Sequence, residues 1–251
     1  MESFFSGKAS KAAAIILLML LPRLVLDIIF GYDYGSGAIL GAFLTVIFVR
    51  KYNTAAFDKI KENGRNTKLS AIGASAVTVF SLQYVFWFLS VKTGELAPND
   101  NWLSYQNIIS PVVIAPVTEE ITFRWALTEI CIDKNTNKLK KIVFLIWSLI
   151  FWNFIHTKSL TSINISVLLL GLLFYMIYFR TGNLLYCIFA HMFANTAFVV
   201  FTSPLQRVFM SLQDNYALFA ADVIILILSI IFTIKLVNKK SDKDCENCLG
   251  R

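Results

Sequence analysis

Charge is scarce in this sequence: 16% of its 251 residues are Asp, Glu, Lys or Arg, against about 25% in a soluble domain. Apolar residues make up 57%, with Phe alone supplying 22, more than a core of this length can hide. That excludes an ordinary water-soluble globule and places the chain in lipid. The four cysteines are too few and too scattered for a disulfide framework. Cys131 and Cys187 fall in apolar stretches and read as small hydrophobes, while Cys245 and Cys248 form a C-x-x-C in a polar tail with no second pair and no nearby His. No A-x-A-like site follows the first apolar run, so that run is read as a retained membrane helix and not a signal peptide. Histidine is the rarest chemistry-bearing residue, with two copies, and there is no H-E-x-x-H.

What is present is a series of apolar runs. A helix needs about 20 apolar residues to cross a bilayer. Eight segments approach that requirement, at 12–32, 36–50, 70–91, 109–132, 141–157, 161–180, 183–203 and 216–237. Runs this continuous do not alternate as barrel strands do, and helices satisfy their own backbone in lipid. The expected fold is all-α, a polytopic bundle of about eight transmembrane helices forming one domain over 1–237. A charged tail at 238–251 is expected to be disordered and cytoplasmic.

The net charge of +7 does not mark a nucleic-acid binder, because the basic residues sit between apolar runs. With eight spans, one side of the membrane holds the N-terminus and segments 51–69, 133–140, 180–182 and 238–251, where most of the Lys and Arg fall. The other side holds Lys92, Lys158 and Arg207 beside Glu95, Asp100 and Asp214. Positive charge stays inside, so both termini are placed in the cytoplasm of a cell membrane. Segment 51–69, interrupted by Asn63-Gly64, reads as a cytoplasmic loop, with a lie along the anionic inner leaflet as the alternative.

An ionisable side chain near mid-span costs about 2.5–3.5 kcal/mol on the insertion scale and marks function by default. The fourth span carries Glu119, Glu120 and Arg124, the fifth His156, and the seventh His191 and Asn195. Glu120 and Arg124 stand four apart on one helix face and can pair. Glu119 points about 100° away. Pro111 and Pro116 precede the carboxylates, so a kink is expected there, opening room for water beside Glu119. A carboxylate in an apolar pocket can act as a general base, a histidine beside it can share the proton work, and a second His with an Asn amide can donate to an oxyanion. Those parts suffice for attack of water on a peptide carbonyl. No Ser or Cys in these spans has an obvious basic partner.

The set E-E-x-x-x-R (Glu119, Glu120, Arg124), an aromatic four residues before His (Trp152, His156) and H-x-x-x-N (His191, Asn195), in that order on successive helices, resembles the CPBP/Abi family of intramembrane glutamic endopeptidases. That family includes CAAX prenyl proteases and bacteriocin-processing or immunity proteins. The resemblance covers about 109–200, and the first three spans carry no motif. It implies that Glu119 and His156 activate the water, that His191 and Asn195 form the oxyanion hole, and that Glu120 and Arg124 hold the site together, with no metal or other cofactor. Trp152 stands where the family usually has Phe, and Asn153 where a small residue is common; both bear on the substrate cleft. The expected substrate is a peptide or protein at the membrane, cut near the cytoplasmic side.

Plainer readings stand beside this one. Glu120–Arg124 can be a brace alone, and a lone intramembrane His often serves a helix–helix hydrogen bond. Arg23 and Asp27, four apart in the first span, read as a structural, self-neutralising pair. Asp222 has no visible partner. A zinc site built from Glu119, His156 and His191 is a variant of the enzyme. The other function classes are a non-proteolytic membrane partner, for bacteriocin immunity or control of a sensor kinase, and a small proton-coupled transporter.

Overall fold

The computed structural model describes residues 7–30, 35–65, 67–93, 108–133, 135–159, 161–202, 209–211 and 214–249, without the side chains of Asp27, Phe30, Ile234 and 236–249. All regular structure among the described residues is helical: α1 Lys8–Phe30, α2 Ser36–Tyr52, α3 Thr54–Arg65, α4 Leu69–Thr93, a composite α5, α6 Lys138–Thr157, α7 Ile165–Thr181, α8 Leu184–Thr202 and α9 Tyr216–Leu249. Helix α5 runs without interruption through Ser110–Ile114, Ala115–Glu120, Ile121–Leu127 and Thr128–Cys131, the first and third stretches having wide π turns.

Among the described residues, five helices are long and apolar enough to cross a membrane, namely α1, α4, α6, α8 and the first half of α9. The expected count of eight is therefore not reached by length and composition. Helices α2 and α7 have 17 residues each, about 26 Å at 1.5 Å per residue, short of the roughly 30 Å hydrocarbon core. The third missing span is α5, whose regular geometry is interrupted.

The kink expected at Pro111 and Pro116 takes the form of the first π stretch. The Ala115 N–H donates to Ser110 O, one residue further back than in an α-helix. Continuing that pattern, the Pro111 carbonyl would need a donor from residue 116, which is proline and has none. The Asn195 side chain of α8 supplies it, Nδ2 donating to Pro111 O at 2.7 Å. In the second π stretch the Phe123 carbonyl accepts from Tyr175 Oη and Thr128 Oγ1, both at 3.1 Å. Side chains from neighbouring helices thus satisfy the backbone groups that the wide turns release, as lipid demands.

Helix α5 is the hub. Every side chain from Thr122 to Leu127 is buried, against α1 and α2 on one side and α7 and α8 on the other. Helices α1 and α2 cross closely; a Cβ on Gly41 would lie 2.7 Å from the Leu18 carbonyl oxygen. Helix α9 docks on α4 through Thr78 Oγ1, which donates to Ser229 Oγ at 3.1 Å.

Segment 51–69, expected as a loop, contains α3. Ala56, Phe57 and Ile60 fall on one face and join the apolar core, and Asn63-Gly64 lies in the last turn and does not break it. The helix is pinned by Trp125 Nε1 to Ala56 O at 3.2 Å, Asn63 Nδ2 to Gly182 O at 2.9 Å and Asn183 Nδ2 to Asn63 O at 2.8 Å. The backbone of α9 likewise stays helical to Leu249, through most of the tail expected to be disordered; extending an existing helix escapes the cost of nucleating one.

The two ends of the bundle are distinct. Lys8 Nζ meets Asp133 Oδ2 at 2.5 Å and Lys59 Nζ meets Glu129 Oε1 at 2.6 Å, gathering the start of α1, α3, the end of α5 and the start of α6 at a basic end. The hydrogen bonds from Lys8, then from Thr136, hold the Asp133 carboxyl down to about 2, so it is ionised at neutral pH. At the opposite end Lys92 meets Asp214 at 2.6 Å, and Gly35 packs against Ser110 and Ile114.

Candidate active site

Two polar clusters occupy different faces of α5, one per glutamate. Glu120 and Arg124 are 0% exposed, with Arg124 Nε 3.3 Å from Glu120 Oε2. The other carboxylate oxygen lies 2.9 Å from His191 Nδ1; a carboxylate accepts, so that ring nitrogen carries the proton. Aromatic faces enclose the guanidinium, whose Cζ is 4.0 Å from the Trp152 ring centre and 4.9 Å from that of Tyr175. Arg124 Nη2 also reaches Gly171 O at 3.5 Å. A lone buried ion costs several kcal/mol, and only close pairing with further hydrogen bonds offsets it. Here the pair is compensated chiefly by charge: Glu120 Oε1 has His191 and the cation has the carboxylate, the Gly171 carbonyl and π faces, while Glu120 Oε2, Arg124 Nε and Arg124 Nη1 make no hydrogen bond among the described residues.

Gly171 makes room for this arrangement. A Cβ there would sit 2.9 Å from Leu149 Cδ2 and 3.3 Å from Trp152 Cδ1. Gly171→Val should therefore displace Trp152 from Arg124 and lower stability by about 1–3 kcal/mol, the usual cost of overpacking. Thermal unfolding in detergent micelles measures it.

Glu119 faces the other way. Its Oε2 is buried, without a hydrogen-bond partner, and lies 3.8 Å from His156 Nε2. The His156 ring is set from its far side: Nδ1 is 2.9 Å from Trp152 O, and since a carbonyl can only accept, Nδ1 donates. In the neutral ring Nε2 then presents a lone pair toward Glu119. The Glu119 side chain is 17% exposed and that of His156 30%. A cavity of about 70 Å³ adjoins Glu119, bounded by Ser110, Thr118, Gly35, Ile155 and Arg23. At about 30 Å³ per water molecule it has room for about two.

Trp152 joins the clusters. Its ring centre is 4.6 Å from that of His156 and 5.3 Å from that of His191, and the ring also covers Arg124. His191 stacks on Phe174 at 4.9 Å on its other side. The four expected catalytic residues are thus not all turned to one space: Glu119 lines the cavity, His156 stands beside it, and neither His191 nor Asn195 lines it. His191 is held by Glu120 and Asn195 by the Pro111 carbonyl.

Several contributors escaped the reading of spacing. Trp152 was visible only as a motif position. Arg23 lines the Glu119 cavity, whereas its expected pairing with Asp27 lies outside the described residues. Asn153 serves the α6–α7 connection and not a cleft, donating to Ser162 O at 2.7 Å and accepting from Asn164 N at 2.9 Å. The cavity is also not at the basic end. Helix α6 begins there at Lys138, so His156 lies 18 residues on, about 27 Å away at 1.5 Å per residue. Among the described residues, no three His, Cys, Asp or Glu side chains are grouped so as to hold a metal ion.

Residues 101–197 match the model of the family described as type II CAAX prenyl endopeptidase, Rce1-like. The matched stretch spans all three motifs and leaves α1 to α4 and α9 outside it. At family level it is the signature of a CAAX-type membrane protease, in agreement with the resemblance carried by Glu119–Arg124, Trp152–His156 and His191–Asn195. No curated protein and no solved structure matched the chain.

Proposed function

We propose, taking the match over 101–197 as the starting point, that this chain is a metal-independent endopeptidase that cuts a peptide bond inside the membrane. The observation that carries this reading is the Glu119–His156 pair: two acceptors 3.8 Å apart, one unpartnered, beside a cavity of water size. A water placed there donates one O–H to Glu119 Oε2 and the other to His156 Nε2, which turns its lone pair toward the substrate. Its oxygen attacks the peptide carbonyl carbon while Glu119 takes the proton. The tetrahedral oxyanion then collapses, the C–N bond breaks, and the proton passes from Glu119 to the leaving nitrogen, giving a carboxylic acid and an amine.

For the oxyanion, Asn195 keeps one donor and a doubly protonated His191 ring would supply another. Asn195 has a second amide N–H beyond the one given to Pro111 O. His191 can offer Nε2–H when its ring carries a second proton beside the one shared with Glu120. This role places the scissile carbonyl on the α8 side of Glu119.

The charge count puts the basic end in the cytoplasm, so the cavity faces the outer half of the bilayer and the substrate segment reaches it from there. Purified chain in micelles should cleave a reporter peptide ending in a farnesylated Cys-a-a-X box, seen by mass spectrometry, at a rate unchanged by chelators. Loss of cleavage on chelation would remove the metal-independent mechanism. No cleavage of the prenylated or unprenylated reporter would sink the protease reading.

A further inference from the structure

We infer that Arg23 of α1 binds the free C-terminal carboxylate of the substrate and so restricts the enzyme to bonds near a chain end. This rests on the protease reading above. The cavity at Glu119 holds about 70 Å³, enough for water but too little for a peptide, so the substrate must lie across its mouth. Arg23 lines that cavity and is itself exposed, among exposed Leu20, Leu21 and Leu24. A guanidinium on an apolar rim has a considerable cost in lipid and suits an incoming anion.

The chemistry of the matched family indicates which anion. A C-a-a-X box ends its chain, so an endopeptidase acting within it works no more than three residues from a free carboxylate. Extended chain covers at most about 3.3–3.6 Å per residue, which puts that carboxylate within about 11 Å of the scissile carbonyl. Glu119 repels it, and the repulsion is strong where the dielectric is low. A cation on the same cavity offsets that repulsion. The planar guanidinium matches a carboxylate through two parallel hydrogen bonds, which an ammonium cannot make.

The test compares two farnesylated reporter peptides that differ only in a C-terminal acid or amide. The wild-type chain should favour the acid by about tenfold or more in kcat/KM, the scale of a charge-assisted contact. In Arg23→Gln the acid-to-amide ratio should fall to about one, with Arg23→Lys in between. A purely structural Arg23 would lower both rates together and leave the ratio unmoved, which would overturn the inference, as would a wild-type ratio of one. Fluorescence anisotropy of the labelled peptides on the Glu119→Gln background separates the two levels. An acid preference that disappears when Arg23→Gln is added upholds the carboxylate site even if the wild type cuts neither peptide, in which case the protease reading fails alone. Equal binding of acid and amide overturns the site.

Discussion

Glu119→Gln should reduce cleavage by a factor of about 10²–10⁴, the contribution of a positioned acid–base group, while leaving folding and insertion intact. The amide has the size of the carboxylate but cannot take the proton from water or return it to the leaving nitrogen. Stability should not suffer, because Glu119 Oε2 has no hydrogen-bond partner to lose and His156 Nε2 is 3.8 Å off, beyond hydrogen-bond distance. Single-turnover cleavage of the reporter, measured beside thermal unfolding of the same sample, checks both halves. Retained turnover at an unchanged melting temperature would show that this carboxylate is not the base.

The neighbouring pair should behave in the opposite way. Arg124→Ala leaves Glu120, which is 0% exposed, as a buried charge with only His191 for a partner, and opens a hole beneath Trp152. Breaking a buried pair by removing one member costs about 3–5 kcal/mol. For a chain of this size that corresponds to a fall in melting temperature of roughly 6–20 °C, at about 2–4 °C per kcal/mol. Replacing both members, as Glu120→Leu with Arg124→Met, should cost less than either single change, because no charge is left stranded. Unfolding of the two single variants and the double variant in micelles tests the sign of that coupling. The pair of glutamates thus divides cleanly, with adjacent residues predicted to fail in activity on one side and in stability on the other.

Much of this division can be read in the sequence. Four-residue spacing puts Glu120 and Arg124 on one face, the 100° step turns Glu119 from it, and the three motifs all fall within the stretch 101–197 that matches the family. What spacing cannot give is which neighbour a face meets. His191 and Asn195 share a face of α8, yet one bonds Glu120 and the other the Pro111 carbonyl. The second bond exists because a wide turn frees that carbonyl and Pro116 cannot fill it. Neither the second wide turn nor the docking of α3 under Trp125 has a compositional signature, since both depend on donors and apolar partners 50 or more residues away in sequence. The end of the bundle at which the cavity lies was implicit in the direction of α6, which starts at the basic end and carries His156 on its last turn.

The wide turns also change what the short α segment between them is. Ala115–Glu120 carries both glutamates and is flanked by Ser110–Ile114 and Ile121–Leu127. At each junction the ladder of backbone bonds has an extra residue, and the slack is taken up by side chains of α7 and α8. The angular setting of the two carboxylates is therefore not inherited from the rest of α5; it is dictated from outside, by Asn195 on one junction and Tyr175 on the other. In effect the glutamates ride on a six-residue dial, and the residues that fix its position belong to other helices.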